Sequence, residues 1–284
     1  MRLFKFRLHA LALVLLLLMG LRTGWADDAR PLVLGVFPYV TAKQIVEIYR
    51  PVAKALEEKL QRRVLLFTAP DFTTFAQRTR QGQYDILLTA PHLAWLARED
   101  TGYLPLLKYD LPFRGLLVVK SDSQHKDLED LRGHTIATPD SIALVVLAGK
   151  IELAASGLRE KIDYQLKQSG THINAAMQVI HGRAGGAMLA AQTYNLMRPK
   201  LQQQLRVLAL TPQLSSLMYL THPRLSVTEV QSIRTALLDF SASPDKQARK
   251  HHGSNGAIEP IDDAMFQTIS PYALATQKML LQKK

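Results

Sequence analysis

Hydroxyl side chains, histidines and free backbone amides follow several predicted strands. They lie in the segments PYVT at 38–41, TAPH at 89–92, TPDS at 138–141 and GTH at 170–172. In open α/β sheets, ligands bind outside the carboxyl ends of the strands. The sequence therefore predicts a ligand site at these ends, with the candidate residues Tyr39, Thr89, His92, Ser141, Thr171 and His172, and with Ile142 and Ala143 at the helix start that follows Ser141.

The stretch GHTIATPDSIALVVLAG, residues 133–149, predicts a strand, a turn and then an apolar helix. Asp140 or Ser141 at the helix N-cap would satisfy unpaired backbone N–H groups, which alone explains their presence. The first turn, however, carries no acidic residue that would complement the helix dipole. Such a helix start also favours binding of an anion by the backbone amides and the Ser141 hydroxyl. Both interpretations stay open from these residues alone.

Two further segments combine a threonine with a histidine near a predicted helix start. Thr171 can cap the helix that follows, with His172 at its start, and Thr89 and His92 share this arrangement. A histidine there can donate a hydrogen bond to an anion, but a surface histidine beside a cap explains the pattern equally well. Tyr39 follows the first predicted strand, where a lone aromatic residue more commonly packs than binds.

Catalytic and metal-binding patterns are absent from the sequence. It contains no GxSxG, GxxxxGKS/T, HExxH or GxGxxG motif, and no cysteine. His251 and His252 are adjacent and do not share a helix face, so an exposed loop explains them better than a metal site. An enzyme with His92 or His172 as a base would also need a nucleophile or a metal-ligand set. We therefore expect a non-catalytic protein without a metal or cofactor.

The first 26 residues have the organisation of a secretory signal peptide. Arg2, Lys5 and Arg7 precede the apolar run LALVLLLLMGL, and small residues precede a cleavage site that we place after Ala26. The run is shorter than the ~20 residues of a membrane-spanning helix, although a retained N-terminal anchor is the alternative. We therefore expect an exported protein that is free in a bacterial periplasm.

The composition narrows the classes of partner. The 284-residue chain has 35 Lys and Arg against 24 Asp and Glu, a formal charge of +11. The basic residues are spread evenly and do not cluster with aromatic residues, which argues against nucleic-acid binding. A mild bias toward anionic ligands or membrane surfaces follows from the net charge.

Strand and helix patterns alternate along the chain. PLVLGVF, RRVLLFTA and YDILLTA predict strands, and TAKQIVEIYRPVAKALEEKLQ, DFTTFAQRTRQG and PHLAWLARED predict the helices that follow them. Such alternation is typical of parallel βαβ units in an α/β fold. Further strands are predicted at RGLLVVK, RAGGAMLA, LRVLALT and SLMYLTH, and further helices at 173–181, 193–203, 227–240 and 262–279.

The order and spacing of five segments resemble the phosphate-, phosphite- and phosphonate-type solute-binding proteins of ABC transporters. The segments are LGVFPYVTAKQIVEIYRPVAKALEEKL, GQYDILLTAPHLAWL, FRGLLVVKSDSQHKDLEDLRGHTIATPDS, GTHINAAMQVIHGRAGGA and GAIEPIDDAMF. The resemblance implies a two-lobed type II periplasmic binding protein fold of the α/β class, with two crossover strands near 116–120 and 206–210. It also implies a ligand cleft between lobe one, residues 31–116 plus 208–284, and lobe two, residues 117–207.

The resemblance implies a function and a set of ligand-binding residues as well. An oxyanion would be held by Tyr39, the 89–92 loop, Ser141 with the amides after it, and His172. The protein would act as a monomer in the periplasm and would deliver a phosphonate- or phosphate-like ligand to the permease of an ABC importer. The alternative is a periplasmic receptor that reports a non-phosphonate ligand to a membrane histidine kinase.

The chain departs from the family pattern at two places. The family commonly has Ser-Thr-Ser-Gly where residues 141–144 of this chain are Ser-Ile-Ala-Leu. After HGRAGG, the family tends to have acidic residues, and here the matching positions are Gly185, Ala190 and Gln192. These departures predict a pocket that is less polar than the family's, suited to a different anion or to a more apolar ligand.

Overall fold

Two mixed β-sheets organise the described part of this computed structural model, which comprises residues 30–243 and 257–282. The described residues from Leu32 onward belong to one compact unit. The predicted cleavage site after Ala26 and the pair His251 and His252 lie outside the described residues.

The first sheet contains strands from both ends of the described chain. They are β1 (Leu32–Val36), β2 (Val64–Phe67), β3 (Ile86–Thr89), β4 (Leu104–Tyr109), β10 (Met218–Thr221) and β11 (Ile258–Pro260). Their order in the sheet is β11-β4-β10-β3-β1-β2. β1 pairs in parallel with β2 and β3, which confirms the βαβ units predicted from the alternating pattern. β10 and β11 pair antiparallel with their neighbours.

The second sheet is built from the middle of the chain. Its strands are β5 (Gly115–Lys120), β6 (Thr135–Thr138), β7 (Gln165–Gln168), β8 (Gly186–Ala190) and β9 (Leu205–Leu210), in the order β7-β6-β8-β5-β9. β6 pairs in parallel with β7 and β8, whereas β5 pairs antiparallel with β8 and β9. The carboxyl ends of β6, β7 and β8 therefore meet at one edge of this sheet.

Most helices begin and end where local sequence signals predict. In chain order they are α1 (Ala42–Leu60), α2 (Phe72–Arg80), α3 (Pro91–Thr101), α4 (Leu144–Ala155), α5 (His172–Ile180), α6 (Ala191–Asn195), α7 (Pro199–Gln202), α8 (Val227–Ala242) and α9 (Ala264–Gln282). α1 begins with a capping box between Thr41 and Gln44, and Pro51 lies inside it without ending it. α2 ends before Gly82, whose φ of +65° suits glycine. α3 has Pro91 at its first position, as predicted.

The chain passes between the two sheets twice. Residues 110–114 lead from β4 to β5, and residues 211–217 lead from β9 back to β10. Phe113 and Leu214 form an antiparallel bridge, so the two connections run side by side. The segments predicted as crossover strands, 116–120 and 206–210, are β5 and β9, which pair with each other within the second sheet.

The sequence patterns missed or misjudged three elements. β4 was not predicted because Pro105 interrupts its apolar run, and the register shift of its partner β10 between Tyr219 and Leu220 accommodates this irregular pairing. β11 is a strand of only three residues, too short for a periodic pattern. A single helix over 193–203 was predicted, but Arg198 is extended before Pro199, so the segment forms the two short helices α6 and α7.

Candidate functional site

The carboxyl ends of strands from both sheets meet at one cavity. β1 and β3 lead to it from the first sheet, and β6, β7 and β8 lead to it from the second. The cavity holds about 410 Å³ of space outside the protein atoms, including its opening to solvent. Its lining residues are Phe37, Tyr39, Phe72, Ala90, Phe113, Ala143, Leu144, Val145, His172, Ala190, Gln192, Thr193 and Leu217.

The cavity wall is mostly apolar and carries no charged side chain among the described residues. Nine of the thirteen lining residues are alanine, valine, leucine or phenylalanine. The ring of Phe37 stacks on Tyr39 and meets Phe72 edge-on, each with a centroid distance of 5.2 Å. A ligand therefore meets an apolar surface, and any charge that it carries has to be stabilised by neutral groups.

Tyr39 belongs both to the cavity wall and to the core of the first sheet. Its hydroxyl is 2.9 Å from the hydroxyl of Tyr49 on α1, and both side chains are buried. Burial, followed by the neighbouring Tyr39, raises the pKa of Tyr49 well above its usual value. A second tyrosine pair, Tyr109 and Tyr219, has its hydroxyls 3.1 Å apart. Tyr39 thus packs as an aromatic residue while its ring faces the cavity.

The helix after β6 starts later than predicted. α4 begins at Leu144, and its N-cap is Ala143, which has no side-chain cap. The interpretation that Asp140 or Ser141 caps this helix is therefore wrong. Asp140 instead holds the preceding turn, because its Oδ1 accepts from the Ile142 N–H at 3.1 Å and its carbonyl accepts from the Ala143 N–H at 2.9 Å. Ala143 reaches the cavity wall, whereas Ser141 and Ile142 do not line it.

This arrangement leaves the start of α4 without an acidic or capping side chain. The first turn of the 12-residue helix contains no acid, and Ala143, Leu144 and Val145 all line the cavity. The first N–H groups of a helix have no partner within it and carry a partial positive charge. The helix start can therefore stabilise negative charge in the cavity without a cationic side chain.

His172 supplies a neutral hydrogen-bond donor to the same cavity. Thr171 caps α5, as predicted, since its Oγ1 accepts from the Asn174 N–H at 3.1 Å. His172, which is 3% exposed, accepts at Nδ1 from the Ala190 N–H at 3.2 Å. The ring proton must then lie on Nε2, and burial lowers the pKa of His172 to about 3, so the ring is neutral. Nε2–H is thus a fixed donor on a cavity-lining residue.

Replacing the two predicted capping hydroxyls should have different effects on stability. Thr171→Ala removes the cap of α5 and should lower the free energy of unfolding by about 1 kcal/mol, as measured by urea denaturation. Ser141→Ala is the matched control, because the Ser141 hydroxyl lies 3.5 Å from Asp140 Oδ1 and caps no helix. Equal losses in the two variants would contradict this assignment of the caps.

Two polar residues of the cavity wall were not among the predicted ligands. Thr193 on α6 is 1% exposed, and its Oγ1 has no hydrogen-bond partner among the described residues. Gln192 donates from Nε2 to the Pro112 carbonyl at 3.4 Å, while its buried Oε1 finds no partner in the described ranges. Both follow β8, so the rule that selected the other strand ends could have found them. In the sequence, Gln192 stood out only as a position that departs from the family pattern.

Thr89 and His92 lie outside the cavity wall. Thr89 ends β3 and is fully buried, and Ala90 rather than Thr89 occupies the N-cap of α3. His92 Nε2 lies 2.9 Å from the carbonyl oxygen of Ile142. Burial lowers the pKa of His92 to about 4, so a neutral ring donates this bond. His92 therefore links a helix beside the first sheet to the turn after β6.

Two other types of site are absent from the described residues. Residues 30–243 and 257–282 contain no group of three or more histidine, cysteine or acidic side chains that could bind a metal ion. Within those same ranges, no helix has the length and apolar character needed to cross a bilayer.

Three solved structures share this fold at low sequence identity. PhnD1 from Prochlorococcus marinus, in complex with methylphosphonate, is 15% identical over 87% of this chain and 98% of its own, with a TM-score of 0.77. A binding protein component of an ABC phosphonate transporter from Pseudomonas aeruginosa is 18% identical over 87% of each chain, with a TM-score of 0.77. XAC2383 from Xanthomonas citri, bound to chloride, is 20% identical over 87% of this chain and 99% of its own, with a TM-score of 0.71. The similarity establishes the two-lobed type II periplasmic binding protein fold.

The comparison with protein families identifies the class of protein. Residues 34–266 match the family described as ABC transporter, phosphonate, periplasmic substrate-binding protein. The matched region includes every residue that lines the cavity. The members of this family are binding components of transporters and not enzymes, and the match favours the transport role over the alternative of a sensor. The chain therefore belongs to the phosphonate-binding family of periplasmic substrate-binding proteins of ABC transporters.

Proposed function

We propose that the protein captures a small oxyanion of the phosphonate or phosphate class and delivers it to the permease of an ABC importer. The single observation that supports this ligand class best is the neutral Nε2–H donor of His172 beside the uncapped start of α4. The proposal includes export directed by a signal peptide that is cleaved after Ala26, and action as a monomer in the periplasm.

The chemistry of the cavity favours a ligand with an anionic end and a small apolar part. His172 and the first turn of α4 offer hydrogen-bond donors and a partial positive charge to oxygen atoms. The rings of Phe37, Phe72 and Phe113 offer apolar contact. Charge is thus held by neutral donors and a helix end, which avoids burial of a cationic side chain.

The same proposal assigns the two sheets to two lobes that close on the ligand. The limits are those predicted from the sequence, residues 31–116 plus 208–284 for lobe one and 117–207 for lobe two. The limits fall within β5 and β9, a few residues from the side-by-side connections 110–114 and 211–217. These connections support a hinge near the limits, because hinges are short segments between rigid elements. The bond from His92 to the Ile142 carbonyl would then join the two lobes in the closed form.

A ligand panel tests the proposed class. Methylphosphonate, phosphate and phosphite should stabilise the chain from Asp27 onward, by about 2.7 kcal/mol at 100 times the dissociation constant. His172→Asn keeps an acceptor near the position of Nδ1 but removes Nε2–H, so it should weaken methylphosphonate about tenfold in calorimetric titrations. His181→Asn, at an exposed position after α5, should bind as the unmodified protein does. Stabilisation by carboxylates or amino acids alone would refute the proposed ligand class.

A further inference from the structure

The side-chain oxygen of Gln192 can only accept a hydrogen bond, and this limits which ligands suit the cavity. Its Nε2 donates to the Pro112 carbonyl, which fixes the orientation of the amide and turns Oε1 to its other side. Oε1 is buried and has no partner among the described residues, although the residue lines the cavity. A carbonyl oxygen can only accept a hydrogen bond, so a ligand that displaces water from it must bring an O–H or N–H group in its place.

Thr193 lies next to Gln192 and is a second polar residue of the cavity wall whose side chain has no partner among the described residues. Its Oγ1 is buried without a partner in the described part of the chain, and the side chain is almost fully enclosed. A hydroxyl can donate to a charged oxygen or accept from a protonated one. Together with the His172 Nε2–H, the cavity therefore offers donors for charged oxygens and one group, Gln192 Oε1, that only accepts.

The electrostatics of the cavity limit the charge of the ligand. Among the described residues, no lysine or arginine lines it, so a dianion would lose its hydration without a cation to replace it. No aspartate or glutamate in the described part of the chain lines it either, so a ligand ammonium group would lack a carboxylate partner there. The donor that Gln192 requires is therefore best supplied by a neutral O–H on the oxyanion itself.

We infer that Gln192 makes the site selective for a singly charged oxyanion that keeps one O–H group, such as the monoanion of an alkylphosphonate, over an oxyanion without a proton. This inference rests on the proposed function and adds a specificity-determining residue to it. A sulfonate has the same shape and a single charge, but it carries no proton near neutral pH. The sulfonate therefore satisfies the limit on charge while leaving Gln192 Oε1 unpaired.

The test compares methylphosphonate with methanesulfonate by calorimetry between pH 6 and pH 9. At pH 6, methylphosphonate should bind at least about tenfold more tightly than methanesulfonate. Its apparent affinity should fall by up to tenfold per pH unit above the pKa of its second ionisation. Methanesulfonate does not titrate in this range, so any pH dependence of its affinity arises from groups of the protein. The titratable residues of the cavity wall are Tyr39 and His172. Tyr194 lies on α6 with Gln192, and Asp110 and Arg114 lie in the connection whose Pro112 carbonyl accepts from Gln192.

Two variants separate Gln192 from a general effect of a buried amide. Gln192→Met removes the acceptor and keeps the length of the side chain, so the preference for methylphosphonate should disappear. Gln178→Met is the matched control, because Gln178 on α5 also has a buried, unpaired Oε1 in the described residues but does not line the cavity. It should leave the preference unchanged.

The outcomes distinguish the inference from the function on which it rests. Equal affinities for the two ligands, or a methylphosphonate affinity that rises with pH, would overturn the inference and leave the proposed function standing. Absence of binding by phosphate, phosphite and both methyl ligands would overturn both. If the folded Gln192→Met protein kept its full preference for methylphosphonate, a group other than Gln192 would recognise the ligand's proton. That result would also overturn the inference.

Discussion

Lowering the pH from 7.5 to 5 should reduce the free energy of unfolding by about 4 kcal/mol, because two buried histidines stay neutral in the folded protein. His92 is fully enclosed and donates to the Ile142 carbonyl, and His172 accepts from the Ala190 N–H. No acidic side chain is hydrogen-bonded to either ring in the described residues. Protonation would therefore place an imidazolium in the core without a counter-charge.

The direction of the effect follows from where the proton binds. An unfolded histidine takes up a proton near pH 6.5, whereas burial lowers the pKa of His92 to about 4 and that of His172 to about 3. Between these values and pH 6.5, the unfolded chain binds more protons than the folded one. Stability therefore falls as the pH falls through this window, and each histidine accounts for about 2 kcal/mol at pH 5.

Urea denaturation at several pH values between 5 and 7.5 measures this loss. His92→Gln and His172→Asn keep a hydrogen-bonding group in place, and each should remove about half of the pH dependence. His181→Gln is the control, since this side chain is exposed. Hydrogen bonds lower the pKa of Asp163 and Glu229, so their contributions are lost only below about pH 4.5 and lie outside the window. An unchanged stability down to pH 5 would contradict the enclosed, neutral histidines.

The parts of the fold that sequence patterns predicted are those with local causes. β1 to β3 and the helices between them follow from apolar periodicity and from local stops and starts such as Gly82 and Pro91. β4 was missed because Pro105 lowers the strand signal, and only pairing with distant β10 and β11 makes the segment a strand. The division into two sheets depends on such distant pairings and came from the resemblance to a family.

The candidate site also has features with local causes, which could be predicted, and features that depend on distant residues, which could not. Thr171 and His172 were placed correctly at the start of α5, because a cap needs only neighbouring residues. The start of α4 was misplaced since Asp140 uses its side chain to hold the turn instead of the helix. The enclosure of His92 depends on a carbonyl fifty residues away, and the unpaired oxygen of Gln192 is a property of the folded protein alone.

Filling the cavity from either sheet should abolish ligand binding. Ala90 is the N-cap of α3 beside the first sheet, Ala190 ends β8 of the second sheet, and both line the cavity. Leucine at either position would place an isopropyl group in the space that the ligand needs. We expect Ala90→Leu and Ala190→Leu each to weaken methylphosphonate more than about 100-fold, which corresponds to about 2.7 kcal/mol.

The two variants also separate loss of the site from loss of the fold. Leucine in a packed region costs about 1–3 kcal/mol when neighbours must move, so urea denaturation is used first to identify conditions in which both variants are folded. Ala55→Leu is the control, because Ala55 is half-buried on α1 and does not line the cavity. Its calorimetric titration should match that of the unmodified protein. Folded Ala90→Leu and Ala190→Leu proteins with undiminished affinity would place the ligand outside this cavity, because two side chains from different sheets cannot both fill the space and leave binding intact.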